Sequence, residues 1–180
     1  MEKLYKVLKI LIIILAIAVL AAAFWRFSPS GETPVITQEA VNAVPDFTVY
    51  TIDGEAVHLS DFLGKPVVLN FWASWCGPCK AEMPDLEAAW QAYGEDIRFV
   101  TVNLTDGSSE TVESATAYIT QQGYTFPVYY DTAMSAAQAY GVSSIPRTYF
   151  IDAKGNLVSA VKQMITAQQL QEGIDALLAE

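Results

Sequence analysis

Cysteine and histidine are scarce in this sequence, with two Cys and one His among 180 residues. A structural zinc site takes four Cys or His ligands, so Cys76, Cys79 and His58 do not make one. No metal is expected, and His58 reads as an ordinary strand residue. Only two residues separate the cysteines. A bridge closing so small a loop hardly restricts the unfolded chain, so an inert structural staple explains the pair poorly. The chain is 52% hydrophobic and long enough to bury a core without staples. Basic residues are also few: 10 Lys and Arg against 20 Asp and Glu, a net charge of −10. The first 27 residues hold four of the ten and a single acid, Glu2, leaving 6 basic and 19 acidic residues beyond them. A surface of that sign repels phosphate backbones, which excludes nucleic acid as a partner.

The N-terminus carries a basic head with Lys3, Lys6 and Lys9, an apolar run from Ile10 to Phe24, and then Trp25-Arg26-Phe27. Cations before the run and an acidic chain after it fit the positive-inside rule. Residues 1–27 are therefore expected to be a signal-anchor, a single-pass transmembrane helix in the cell membrane with the rest of the chain on its extracytoplasmic side. Counted from Leu8 to Phe27, with Lys9 and Arg26 snorkelling, the run approaches the roughly 20 residues a span needs. Ala21-Ala22-Ala23 offers a competing signal-peptidase site. Either outcome places the domain in an oxidising compartment. No cysteine lies near this segment, which excludes a lipid-modified N-terminal Cys. Residues 28–43 are polar, carry Pro29, Gly31 and Pro34, and read as a linker. Residues 44–180 are left as the domain.

Within the domain, Phe47–Thr51 alternates apolar and polar residues and is followed by Asp53-Gly54 and Val57-His58-Leu59, the pattern of a hairpin. Ser60–Leu63 suits one short helical turn ended by Gly64. Pro66–Ala73 is almost continuously apolar, as in a strand covered on both faces. After Cys76-Gly77-Pro78-Cys79, Ala81–Tyr93 has helical composition, with Pro84 expected to kink it. Ile97–Leu104 is a second buried strand and Ser109–Gln122 a helix closed by Gly123. Phe126–Tyr130 is extended, Met134–Tyr140 a short helix, and Arg147–Asp152 with Leu157–Lys162 a hairpin. Thr166–Ala179 is an amphipathic helix in which Thr166 and Gln169 have capping-box spacing. This order predicts an α/β fold around a central mixed sheet.

Cys76 falls where a buried strand gives way to a helix. A helix N-terminus presents unpaired N–H groups and a positive dipole end, which favour thiolate over thiol. Cys79 follows one turn later on the same face and can attack a mixed disulfide formed by Cys76. Gly77 and Pro78 suit the first helical turn, where proline needs no N–H partner. The pattern points to two-step thiol–disulfide exchange.

Asn70-Phe71-Trp72-Ala73-Ser74-Trp75-Cys76-Gly77-Pro78-Cys79-Lys80 resembles the active-site segment of thioredoxin. With Glu82-Met83-Pro84 and the preceding hairpin it resembles the TlpA/ResA-like branch of membrane-anchored, extracytoplasmic thioredoxin-like proteins. A second signature is Gly141-Val142-Ser143-Ser144-Ile145-Pro146-Arg147-Thr148-Tyr149-Phe150-Ile151-Asp152. The resemblance covers about residues 44–180. It implies a thioredoxin-like fold with helices on both faces of the sheet, an extra N-terminal hairpin and a cis Ile145–Pro146 bond. It further implies Cys76 as nucleophile, Cys79 as resolving cysteine and Glu82 as the acid behind the pair, where it tunes thiol pKa or accepts a proton. An exposed helix acid favouring the dipole is the plainer reading of Glu82. Trp75, Gly77, Pro78, Ile145 and Pro146 are the implied substrate surface, and Trp72 and Phe71 are core. No cofactor is implied beyond a redox-active Cys76–Cys79 disulfide. The implied partners are exported Cys-containing proteins, apocytochrome c among them, and an integral membrane electron donor.

Three positions depart from the pattern. Asn70 replaces the buried Asp of thioredoxin and cannot ionise, Arg147 replaces the usual Thr after the cis proline, and Gln163 replaces a usual Gly before the last helix. Two other readings compete. A peroxiredoxin resembles P-x-x-x-T-x-x-C, but Leu69 and Ala73 stand at its Pro and Thr positions. A non-catalytic binding or chaperone module would use the groove beside Pro146 and would not need its cysteines.

Overall fold

β3 (Val67–Trp72) is buried at all six positions and is an interior strand of the sheet. The computed structural model describes residues 43–179. The expected anchor over residues 1–27 and the linker as far as residue 42 lie outside them. Among the described residues no helix is long and apolar enough to cross a membrane.

The remaining elements follow the chain. The hairpin is β1 (Thr48–Tyr50) and β2 (Ala56–His58), turning through Gly54 at φ +81°, and a 3₁₀ turn (Leu59–Phe62) follows it. After β3 come α1 (Gly77–Tyr93), β4 (Arg98–Asn103), α2 (Val112–Gln122), β5 (Val128–Tyr130), α3 (Ser135–Ala139), β6 (Arg147–Ile151), β7 (Leu157–Val161) and α4 (Ala167–Leu178). The sheet order is β2-β1-β5-β4-β3-β6-β7. β3 runs parallel to β4 and antiparallel to β6, and β4 runs parallel to β5, so the sheet is mixed as expected.

Alternation along β3 divides the core in two. Val68 and Trp72 pack with Met83 and Leu86 of α1, Ala115 of α2 and Ile174 of α4. Val67, Leu69 and Phe71 face the other side, with Val49, Leu59 of the 3₁₀ turn and Ala136 of α3. Helices thus cover both faces. Trp72 and Phe71 are fully buried core residues, as predicted, and His58 ends β2, its Nδ1 3.1 Å from Thr48 Oγ1.

The helix expected over Ser109–Gln122 starts later, at Val112. Thr111 is its N-cap, exchanging hydrogen bonds with Ser114, and Gly123 closes it at φ +74°. The residues before it are held in a tight loop, because Asp106 Oδ1 accepts the backbone N–H groups of Ser108, Ser109 and Glu110. Polar side chains that serve a local turn in this way compete with helix formation. The expected Thr166–Gln169 capping box is present at the start of α4.

Candidate active site

β3 delivers the site to the end of the sheet, and the chain turns through Ala73–Trp75 into α1. Cys76 N–H donates to Ala73 O at 3.1 Å, and Lys80 N–H donates to Cys76 O at 3.1 Å, so the turn and the first helical hydrogen bond meet at Cys76. Cys76 is the N-cap of α1, with Gly77 and Pro78 opening the helix. Pro78 costs nothing there because first-turn N–H groups have no helical partner. Cys76 and Cys79 are joined as a disulfide. Cys76 is 4% exposed and Cys79 is fully buried, so Cys76 is the sulfur nearer solvent. Cys79 N–H donates to Cys76 Sγ at 3.2 Å. Once the pair is reduced, that donor and the helix end would stabilise a Cys76 thiolate.

Glu82 lies one turn beyond Cys79 and is only 1% exposed, which rules out the exposed helix-acid reading. Its Oε1 accepts from Asn70 Nδ2 at 2.8 Å and its Oε2 from Ile165 N–H at 2.9 Å. Burial raises its pKa to about 7, against the opposing pull of those two hydrogen bonds. Asn70, opposite Thr148 in the β3–β6 register, also donates to Thr148 Oγ1 at 3.0 Å. Asn70 Oδ1 is buried without a hydrogen-bond partner. A neutral Asn thus stands beside Glu82, which is a buried ionisable group held by Asn70 and Ile165.

The Ile145–Pro146 peptide is cis. Ile145, Pro146 and Pro78 line a groove of about 760 Å³ together with Lys162, Gln163 and Met164. The structure therefore brings together three of the five residues expected to form the substrate surface. Gln163, where a Gly was usual, adds a wall to that groove. Gly77 and Trp75 are not among its lining residues. Trp75 is 58% exposed on the turn preceding the pair. Arg147 is bonded to its own loop. It donates to Ser144 O, Gly141 O and Ser143 Oγ, and so ties up the loop that carries Pro146.

One buried acid beside the site has no signal in the sequence. Glu110 is fully buried and its carboxylate accepts from Ser74 N–H, Ser74 Oγ and Asn103 Nδ2. The partners lie 36 and 7 positions away. Spacing alone puts Glu110 in the first turn of a helix, and nothing local marks it as part of the site.

Comparison with known proteins gives these features a context. The family described as AhpC/TSA matches residues 40–160. The chain belongs to that family. Within it, the chain is a TlpA/ResA-like thioredoxin-family protein and a thiol–disulfide oxidoreductase. It is 38% identical over 135 residues to the thiol-disulfide oxidoreductase ResA of Oceanobacillus iheyensis, covering 72% of this chain and 68% of that one. It is 33% identical over 163 residues to the thioredoxin-like protein YneN of Bacillus subtilis, covering 90% and 94%. Among solved structures, the exposed lipoprotein thioredoxin Etrx1 of Streptococcus pneumoniae superposes with a TM-score of 0.61 at 33% identity, over 73% of this chain and 98% of that one.

Proposed function

We propose that this oxidoreductase works outside the cytoplasm, tethered by residues 1–27, and reduces disulfides in exported proteins, apocytochrome c among them. The observation that carries the catalytic part is a disulfide at the mouth of α1 with a buried carboxyl group behind it and a groove beside the cis proline. The location is supported by the basic head and apolar run of the N-terminus, and by likeness to a protein described as an exposed lipoprotein.

In the reduced protein, Cys76 thiolate attacks one sulfur of a client disulfide. The client's S–S bond breaks, a Cys76–client disulfide forms, and the released client thiolate takes a proton from water. Glu82 then accepts the Cys79 thiol proton, Cys79 attacks Cys76 Sγ, and the second client sulfur leaves as thiolate and is protonated. Two electrons pass from the dithiol to the client. The oxidised pair is reduced again by a dithiol of an integral membrane donor. An extended client segment is held in the groove of Ile145, Pro146 and Pro78, with Gly77 and Trp75 contacting it from outside that groove.

The test is Cys79→Ser in cells. It should accumulate clients covalently bound to Cys76, while Cys76→Ser should trap none and should abolish insulin reduction. A double Cys→Ser variant that still supported the cellular role would favour a binding module and sink this reading. The direction of electron flow is read from the potential. A value near −270 mV, as for thioredoxin, fits a reductant, and one above about −150 mV fits an oxidant.

A further inference from the structure

We propose that Glu110 is a positioning residue for the redox pair, holding the turn before Cys76 and keeping the pair reducing through its buried negative charge. The inference rests on Cys76 and Cys79 being a working dithiol pair.

The anchor joins two connections. The loop between β4 and α2 is closed locally by Asp106, whose Oδ1 collects three backbone N–H groups, and by Gly107 N–H donating to Glu110 O at 3.0 Å. That closure turns the Glu110 side chain inward. Its Oε1 accepts from Ser74 N–H at 2.9 Å and Asn103 Nδ2 at 2.8 Å, and its Oε2 from Ser74 Oγ at 2.7 Å. Asn103 is itself fixed, because its Oδ1 accepts from Thr105 Oγ1 at 2.8 Å. Two N–H donors and one hydroxyl face the carboxyl group, a set that a carboxylate can accept from in full. Both main-chain and side-chain donors of Ser74 are committed to it.

Ser74 is two residues before Cys76, so their Cα atoms are at most about 7 Å apart. Fixing Ser74 fixes the turn from which Cys76 N–H reaches Ala73 O. It also sets the buried carboxyl group of Glu110 against the residue two before Cys76, where a negative charge is partly shielded from water. A carboxylate there opposes a thiolate at Cys76. Opposing the thiolate destabilises the reduced form and lowers the potential, the inverse of a strongly oxidising pair whose reduced form is stabilised. The other charged side chains in the first turns of α1 are Lys80, whose Nζ lies 5.1 Å from the Tyr118 ring centre, and Glu82, which is engaged with Asn70 and Ile165. Among the described residues neither hydrogen-bonds to Ser74.

The full-length Glu110→Gln variant separates geometry from charge. Its amide oxygen can accept from Ser74 N–H and Asn103, and its NH₂ can donate to Ser74 Oγ, so the anchor survives while the charge is lost. Thiolate absorbance should show Cys76 ionising at lower pH, and the glutathione equilibrium should shift about tenfold toward the dithiol, equivalent to about 30 mV. A folded, redox-active Glu110→Gln protein with both quantities unchanged, or shifted the other way, overturns the proposal. If that variant does not fold, Ser74→Ala decides. It removes one donor from the carboxylate, leaves the charge less neutralised, and should shift the equilibrium about twofold toward the disulfide; no shift overturns the proposal. A wild-type protein that does not exchange disulfides would instead overturn the redox reading itself.

Discussion

Glu82 is the residue where stability and chemistry oppose each other. Its pKa is about 7 in the folded protein because burial disfavours its charge, against an ordinary value of 4.5 when unfolded. Between those values the folded state holds a proton that the unfolded state has lost, so stability falls as pH rises. The stabilisation relative to the ionised state is fully present below about pH 4.5 and gone above about pH 7. The gap corresponds to on the order of 3 kcal/mol. Glu82→Gln should remove this slope. The introduced amide can donate to Asn70 once the Asn70 amide flips, while its oxygen keeps the hydrogen bond from Ile165 N–H. Urea melts at about pH 5 and about pH 8 should therefore differ for wild type and nearly coincide for the variant, which should be the more stable at the higher pH. The same change removes the group proposed to accept the Cys79 proton, and disulfide exchange should slow by about 10²-fold at neutral pH. A variant that kept both the pH slope and full activity would show that Glu82 neither titrates nor accepts the proton.

At the scale of elements, the tightest constraint is where α4 crosses β6. A Cβ added at Gly173 would lie 2.3 Å from Cε1 and Cζ of Phe150, a ring that is itself buried. Gly173→Ala gains about 1 kcal/mol of helix propensity but overpacks the core, which costs about 1–3 kcal/mol. It should lower the denaturation midpoint, and Phe150→Leu in the same chain should recover part of the loss through favourable coupling in a double-mutant cycle. An unchanged midpoint in the single variant would mean that α4 is free to move off the sheet. How well elements can be read from sequence follows from how local their causes are. β3, the α1 start and the Thr166–Gln169 capping box are readable because apolar runs, Pro in a first turn and Thr-x-x-Gln spacing act within a few residues. Composition places the start of α2 too early because Asp106 captures the preceding backbone, whereas the short helix expected over Met134–Tyr140 and the extended Phe126–Tyr130 are found as α3 and β5. Glu82 is recognisable by resemblance, whereas its burial depends on Ile165, 83 positions away. Glu110 and Ser74 meet only once β3 and β4 are paired, and no spacing in the chain records that.

For the whole molecule, the distribution of charge sets which clients arrive fastest. Beyond residue 27 there are 19 acidic and 6 basic residues, yet Lys162 lines the groove beside Pro146 and Lys80 follows Cys79. The overall field attracts cationic clients at long range, while the groove itself offers a cation to whatever is seated in it. Long-range attraction acts on encounter and is screened over about 10 Å at about 0.1 M salt, whereas a seated contact acts on residence. Two disulfide peptides of equal length, one carrying Lys and one carrying Glu around the cystine, separate these effects. At low salt the Lys peptide should be reduced several-fold faster at subsaturating concentration, and the advantage should disappear near about 0.5 M salt. Lys162→Glu should widen the advantage at low salt, because it removes the groove cation that favours the Glu peptide. If the Glu peptide were preferred at every salt concentration and lost that preference in Lys162→Glu, the groove would govern selection and the acidic surface would serve solubility alone.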